Sequence, residues 1–440
     1  RYSVLESSPR VAVHGGLPAF LELIQPRLYR GHPESMSGFA STLALGAWLF
    51  VLVTTVRRGR WRSTDFFFVL LVILTVAAVL DWPVIAPAVD SALPIAANAR
   101  LRLVLCFALG VVTASALNVL ARAFAFHTIA SMLAIVVIIA ELWGFGRNWM
   151  PNLDSRMFYP ATPIIEKLQE LRHSAREPFR ITGTGPVLFP NTSAIYGLED
   201  VRAHDPMTGA RYIGLLRELS GYDPSNYFAP WADFNTRLLD FLNVRYIATT
   251  TDVADLGDPN RYQVVYEGRD GKVFENTSAL PRVFPIRNVV LEFRDDVFIA
   301  LLKKHEDWAT TALLDRLPVE SDTMRNDLLA PRPRDAPEAM TRIVSGGSRR
   351  LRVNVSAPRY SLIATSIQWW PGWRVRTNDR ALEPLKINAT FVGFVVPPGR
   401  HEVEIVYSPT SFWVGVWLAL ATAMVLLTVG LSRRLRRDAV

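Results

Sequence analysis

Residues 401–432, HEVEIVYSPTSFWVGVWLALATAMVLLTVGLS, combine two structural patterns without a gap. Polar and apolar residues alternate as far as Tyr407, which predicts a β-strand with one buried face. Residues 411–432 then carry no charge, and about 20 apolar residues are what a helix needs to cross a bilayer. The stretch therefore predicts a β-domain directly beside a membrane-spanning helix.

Four further apolar stretches lie within residues 38–145 and are nearly free of charge. They are 38–56, 66–89, 103–120 and 123–140. The second is the weakest, because it reaches the length of a span only by continuing past Asp81. Together with 411–432, these stretches predict a membrane α-helical protein with about five transmembrane helices.

The remaining sequence predicts two folded regions joined by a linker. Residues 146–317 mix amphipathic helix with short strands, which indicates an α/β domain. Residues 318–340 contain several prolines among many charges and have the composition of a linker. Residues 341–410 predict a small β-sandwich, because strand patterns separated by turns recur evenly there. These strands are expected at 349–355, 360–367, 373–377, 390–396 and 401–407.

Arginine clusters predict the orientation, since short positive loops remain on the cytoplasmic side of a membrane. One cluster lies between residues 57 and 62, and the other forms the basic tail at 433–440. Counting crossings from these clusters places residues 1–37 and the whole of 146–410 on the outer side. The chain begins with Arg1 and not with Met, so we expect it to be part of a longer protein.

The composition argues against several classes of protein. With 50% hydrophobic and 20% charged residues, the chain is too apolar for an ordinary soluble or disordered protein. Residues 146–410 hold 33 Lys and Arg against 32 Asp and Glu, so no basic domain for nucleic acid is expected. Cys106 is the single cysteine, which excludes a disulfide framework. No cofactor motif is present, and a divalent metal is possible without having a motif to support it.

Two carboxylates are candidates for catalysis. Asp81 and Glu141 lie where the second and fourth predicted helices should meet the outer surface. A carboxylate there could act as a general base toward a sugar hydroxyl, or hold a metal ion on a lipid-linked phosphate. Solvation at the membrane interface is the simpler explanation for each of them.

An aromatic group is the candidate for substrate binding. Trp369, Trp370 and Trp373, together with Tyr360, could stack on a sugar ring. Aromatic residues at strand ends of a small sandwich more often fill its core or contact lipid headgroups, and this alternative stays open.

A set of short strings lies in order along the second half of the chain. They are Arg211-Tyr212, LNVRY at 242–246, FEN at 274–276, ALPR at 279–282, WPGW at 370–373, PPGRH at 397–401 and YSP at 407–409. The ordered set resembles the carboxyl-terminal half of YfhO-type bacterial membrane proteins, which are similar to polytopic glycosyltransferases of the GT-C class.

The resemblance implies transfer of a sugar from a polyprenyl-phosphate carrier to an envelope glycan on the outer face of the bacterial inner membrane, by a multi-pass protein in contact with the lipid bilayer. It places the catalytic acid upstream of Arg1, so no catalytic residue is carried over and this chain alone is expected to be inactive. The alternative is a non-catalytic, membrane-anchored module that binds envelope glycans or partner proteins. A transporter is less favoured, because no pair of spans carries several charges.

Overall fold

The computed structural model describes residues 40–59, 63–79, 82–92, 101–123, 127–147, 154, 157–184, 187–202, 208–222, 231, 233–292, 294–304, 307–319, 321–333 and 335–438. Of these, the residues up to Phe158 form one compact unit and those from Tyr159 form another. Each unit is described by itself.

The first unit consists of helices that bury part of their apolar surface against one another. They are α1 (Thr42–Arg58), α2 (Ser63–Val79), α3 (Ile85–Ala92), α4 (Arg102–Ala123) and α5 (His127–Gly146). Ser41 caps α1, because its hydroxyl accepts the N–H of the second helical residue at 3.2 Å. Ala44 of α1, Val72 of α2 and Leu109 of α4 are buried in one hydrophobic cluster.

The prediction of about five transmembrane helices is wrong. Among the described residues, one helix is long and apolar enough to cross a membrane, at Thr410–Ser432, and none of its apolar window is buried. The other apolar helices have only 10–17 such residues, at Thr42–Arg57, Ser63–Val79, Leu103–Val119 and Ser131–Gly144. A helix of 17 residues spans about 26 Å, which is less than the roughly 30 Å of hydrocarbon in a bilayer. Counting uncharged residues did not reveal where each helix begins and ends.

The described residues of the second unit form three β-sheets. The strands of the first sheet are β1 (Arg180–Gly183), β2 (Val244–Thr249), β3 (Tyr262–Gly268) and β4 (Gly271–Asn276), in the order β1-β2-β4-β3. β1 and β2 run parallel, and the other pairs are antiparallel. Helix α6 (Pro163–Ser174) packs on this sheet through Ile164, Ile165 and Leu168, whose spacing places them on one helical face.

The second and third sheets contain the remaining strands. The second has β5 (Val283–Ile286), β6 (Asn288–Leu291), β7 (Thr311–Leu314), β10 (Ser361–Gln368), β13 (Leu385–Ile387) and β14 (Phe391–Val396), in the order β5-β10-β14-β13-β7-β6. The third has β8 (Met340–Gly346), β9 (Arg350–Ala357), β11 (Trp373–Thr377), β12 (Ala381–Leu382) and β15 (Gly399–Tyr407), in the order β12-β11-β15-β9-β8. The strands predicted from the sequence at 349–407 are thus confirmed as β9, β10, β11, β14 and β15.

The second and third sheets pack face to face as a β-sandwich. Val353 of β9 and Ile405 of β15 point toward Phe394 of β14 in one hydrophobic cluster. The other face of the second sheet packs against helices, so strands β10 and β14 are buried on both faces over most of their length. These helices are α7 (Ala210–Ser220), α8 (Leu238–Phe241), α9 (Asp295–Lys304) and α10 (Asp322–Leu329).

The region predicted as a linker, 318–340, contains helix α10. Ser321 caps this helix, because its hydroxyl accepts the N–H of Met324 at 3.1 Å. Strands β5 and β7 precede the region, and β10 follows it, within the same sheet. The α/β region and the sandwich are therefore continuous through the second sheet. The last strand, β15, leads into α11 (Thr410–Asp438), which contains the candidate membrane span.

Candidate functional site

Two of the strings noted in the sequence meet in a buried polar network. Asp240 Oδ1 accepts hydrogen bonds from Arg261 Nη2 at 2.6 Å and from Asn276 Nδ2 at 2.8 Å. Asn276 also donates to the carbonyl of Val244 at 3.0 Å, which joins FEN to LNVRY. The ion pair between Asp240 and Arg261 is buried, and the side chains of the network hydrogen-bond to one another. The network therefore stabilises the fold and does not form a binding site.

Arg282, the last residue of ALPR, belongs to a second polar cluster. Its Nη1 donates to Glu199 Oε1 at 3.2 Å, and its Nη2 lies 2.9 Å from Glu199 Oε2. Arg180 Nε lies 3.7 Å from the same carboxylate. The side chain of Arg282 is only 6% exposed, whereas that of Glu199 is 39% exposed. The carboxylate therefore forms the solvent-facing side of the cluster.

Arg180 connects the first sheet to the second. Its Nη1 donates to the carbonyl of Ser366 at 2.7 Å, to the Ser366 hydroxyl at 2.8 Å and to the carbonyl of Leu242 at 3.1 Å. The backbone N–H of Ser366 in turn donates to the carbonyl of Arg282 at 3.0 Å. Backbone carbonyls thus hold the Arg180 guanidinium in place, whereas the Arg282 guanidinium is held by the carboxylate of Glu199.

The cluster contains two guanidinium groups and one carboxylate. Burial, and then the positive charge of Arg282, lower the pKa of Arg180 to about 10, and Glu199 offsets only part of this effect. Within the described part of the chain, Arg282 Nε and Nη2 are buried without a hydrogen-bond partner. An anion with several acceptor oxygens would balance the net positive charge of the cluster.

The structure divides the predicted aromatic group. Trp369 and Trp370 follow the last residue of β10, whereas Tyr360 precedes its first residue. The 8 residues of this strand separate the two ends by about 26 Å. Trp373 begins β11, and its ring centroid lies 5.1 Å from that of Tyr407. The three tryptophans therefore lie at one end of β10, and Tyr360 lies at the other.

Trp370 lies beside the start of α7. A Cβ atom on Gly209, the residue before this helix, would stand 3.3 Å from Trp370 Cζ2 and 2.9 Å from Gln368 Nε2. Gln368 follows Ser366 by two residues on β10, and Ser366 is the residue to which Arg180 donates. The indole and the guanidinium pair therefore lie at the same end of this strand.

The two carboxylates proposed for catalysis have different outcomes. Asp81 lies outside the described residues. Glu141 is on α5, where its carboxylate accepts from the N–H of Thr42 at 3.0 Å and from the hydroxyls of Ser41 and Thr42. These donors form the beginning of α1, so the carboxylate acts as a helix cap in which both oxygens are occupied. In the described ranges, no three His, Cys, Asp or Glu side chains are grouped to hold a metal ion.

The WPGW turn contacts the residues that lead into α11. Gly372 in this turn has a φ of 114°, and a Cβ atom on it would stand 2.7 Å from Pro409 Cα. The N–H of Ser408 donates to the carbonyl of Gly372 at 2.9 Å. Trp413 Nε1 of α11 donates to the Ser408 hydroxyl at 3.3 Å. The turn, the end of β15 and the start of α11, which contains the candidate membrane span, thus form one junction.

Residues 336–419, which contain this junction, match the model of a family described as bacterial membrane protein YfhO. The resemblance to YfhO-type proteins is confirmed. The YfhO match runs from β8 through the WPGW turn into the start of α11, while the strings before residue 336 lie outside it. No curated protein and no solved structure matches the chain.

Sequence reasoning identified Trp370 but not the charged part of the cluster. Arg180, Glu199 and Ser366 stand in no motif, and Arg180 lies 186 residues from Ser366 along the chain. Only Arg282 carried a local signal, as the end of ALPR. The cluster forms where the first and second sheets contact each other. No local sequence pattern predicts this contact.

Proposed function

We propose that this YfhO-type membrane protein takes part in moving a sugar from a polyprenyl-phosphate carrier to an envelope glycan, on the outer face of the bacterial inner membrane, and that the described region binds the acceptor. The observation that carries the proposal is the pair Arg180 and Arg282, which share one carboxylate and lie at the same end of β10 as Trp370.

The chemistry of this end of β10 suits an acidic glycan. One guanidinium group donates two parallel hydrogen bonds to two oxygens of a carboxylate or phosphate. An indole face packs against the apolar face of a sugar ring. Partial burial strengthens such contacts, because the local dielectric constant is lower than that of water. The junction between the WPGW turn and α11 supports a position near the membrane, where the lipid-linked donor would be held.

The experiment measures sugar transfer by the complete protein in its native membrane, with an acidic acceptor. Arg282→Lys keeps the charge but removes the planar pair of donors, so the KM for the acceptor should rise about tenfold while kcat changes less than about twofold. Arg202→Lys is the matched control, because Arg202 is also buried but is paired one to one with Asp200 at 2.6 Å.

Two results would contradict the proposal in different ways. If folded Arg282→Lys has an unchanged KM for the acceptor, then this cluster does not bind the acceptor. If the unaltered complete protein transfers no sugar, then it is not a glycosyltransferase, even if it still binds the acceptor.

A second candidate function is a non-catalytic, membrane-anchored module that binds envelope glycans or partner proteins. The observation that favours it is the engagement of Glu141, whose two carboxylate oxygens accept hydrogen bonds from the start of α1 and so have a structural role. Binding of the acidic glycan without any transfer in the presence of a polyprenyl-phosphate sugar would support this function over the first.

A further inference from the structure

The outer face of the third sheet carries an uneven distribution of charge. Val353 of β9 and Ile405 of β15 point into the sandwich core, so the alternate positions of these strands face away from it. The charged residues at such outward positions of β8, β9, β11 and β15 are Arg342, Arg350, Arg352, Arg374, Arg376, Arg400, Glu402 and Glu404. Arginine therefore predominates on this face.

The register places one row of this face close to the membrane helix. Arg350 of β9 and Arg374 of β11 both pair with Val406 of β15. Val406 precedes Thr410, the first residue of α11, by four positions. Two guanidinium groups thus flank the strand only a few residues before the chain enters the helix.

The next row collects positive charge around one carboxylate. Glu404 pairs with Arg352 and Arg376, and its Oε2 lies 2.5 Å from Arg376 Nη2. Its Oε1 lies 3.4 Å from the Nε atoms of both Arg352 and Arg350. The Glu404 side chain is 11% exposed, while the three arginine side chains are 47–65% exposed. The guanidinium groups therefore remain accessible to an anion from solution.

Positive charge is weaker toward the other end of the sheet. Arg342 and Glu402 both pair with Asn354, so opposite charges share that row. Arg400 lies six positions before Val406, at a distance of about 20 Å along the strand. We call the rows of Val406 and Glu404, with their four arginines, the proximal rows, and Arg342 with Arg400 the distal arginines.

The proximal end of the sheet is attached to the start of the helix. The N–H of Tyr407 donates to the carbonyl of Arg349, and that of Ser408 donates to the carbonyl of Gly372, both at 2.9 Å. Trp413 and Trp417 on the first turns of α11 are exposed, and tryptophan concentrates at the headgroup level of membranes. The proximal rows therefore lie near the level at which α11 enters lipid.

We propose that the proximal rows bind the phosphate groups of anionic phospholipids at the surface of the membrane that α11 enters. Four arginines and one glutamate leave a net positive charge there, which complements an anionic surface. The attraction decays over a Debye length of about 8–10 Å, so it is strongest at the proximal rows and weaker at Arg342 and Arg400, which lie about 13 and 20 Å along the strands from the row of Val406. Binding would fix the sandwich against the bilayer, and it does not depend on sugar transfer.

The test uses the full protein in neutral detergent micelles, titrated with phosphatidylglycerol or with phosphatidylcholine, and counts bound lipid by native mass spectrometry. The variant is Arg350→Gln with Arg374→Gln, and the control is Arg342→Gln with Arg400→Gln, which removes the same charge from the same face. Each basic residue near an anionic surface contributes about fivefold, so the proximal variant should lose roughly tenfold or more in affinity for phosphatidylglycerol. The control should lose less than about twofold.

Three results would overturn the proposal. Equal losses in the two variants would show that only net charge matters. If the unaltered protein binds the two lipids with equal affinity, then it does not recognise the anionic headgroup. If inorganic polyphosphate binds through the proximal rows while phosphatidylglycerol does not, the face recognises a soluble polyanion. Thermal unfolding of both variants checks that the exposed substitutions leave the fold intact.

Discussion

Gly372 and Pro409 approach so closely that a Cβ atom on Gly372 would stand 2.7 Å from the Cα of Pro409. The φ of Gly372 is 114°, a conformation that residues with a Cβ rarely adopt. Both properties require glycine in the WPGW turn. The contact matters beyond the turn, because Pro409 immediately precedes α11, which contains the candidate membrane span.

Gly372→Ala is predicted to destabilise the sandwich and its junction with α11. Backbone strain of this kind costs about 1–3 kcal/mol, and the clash with Pro409 adds to it. The measurement is thermal unfolding of the full chain in detergent. Gly415→Ala is the control, since no heavy atom lies within 4 Å of a Cβ there, and it should not lower the midpoint. Equal midpoints for the two variants would contradict the requirement for glycine.

Asp240→Asn is predicted to cost about 3–5 kcal/mol of stability, because it leaves the buried guanidinium of Arg261 without its anion. Chemical denaturation of the full chain measures the loss. Asp322→Asn removes one partner of an exposed ion pair with Arg325 and should cost less than about 1 kcal/mol. A small effect at Asp240 would mean that the network contributes little to folding.

The hydrogen bond from Arg376, together with the nearby arginines, holds the pKa of Glu404 below its usual range despite burial. A carboxylate with a lowered folded-state pKa stabilises the fold above its unfolded pKa of about 4.3, and this contribution is lost as the pH falls through the folded-state pKa. Glu404→Gln should therefore lower stability at pH 7 and reduce the loss of stability below about pH 4.

Urea unfolding at a series of pH values between about 3 and 7 checks this expectation, with the exposed Glu402→Gln as the matched control. If the free energy of unfolding falls below about pH 4 with the same slope in Glu404→Gln as in the unaltered protein, then protonation of Glu404 does not cause the loss of stability.

Glu141→Ala is predicted to weaken the start of α1 by about 1 kcal/mol, because it removes acceptors for Ser41 and Thr42. Sugar transfer per folded molecule of the complete protein should stay unchanged. Thermal unfolding and a transfer assay on the same preparation separate the two effects. Loss of transfer at unchanged stability would return Glu141 to the catalytic candidates.

The sandwich strands could be predicted from the sequence because their signal is local. In β9, Leu351, Val353 and Val355 alternate with polar residues, and the burial of the strand follows this alternation. The first unit could not be predicted as well. Its apolar stretches have the composition of membrane spans, but their helices begin at features such as the Ser41 cap, which leaves apolar segments shorter than a span.

The candidate site was predicted only in part, for a physical reason. Trp370 was found because aromatic residues next to a Pro-Gly turn are visible in the sequence. Tyr360 was grouped with it by proximity in sequence, although an entire strand separates them in space. The contact between Arg180 and Ser366 joins two sheets, and nothing in either local sequence specifies the other partner.

We propose that Arg180 and Arg282 bind an acidic group of the acceptor glycan, and calorimetric titration of the complete protein measures this binding. The probes are a purified acidic envelope polysaccharide and the same polymer with its acidic groups neutralised. We expect binding of the acidic form, at least about tenfold weaker binding of the neutral form, and an equal weakening by Arg282→Lys. Equal affinity for the two polymers, or acidic binding that Arg282→Lys leaves intact, would contradict the claim.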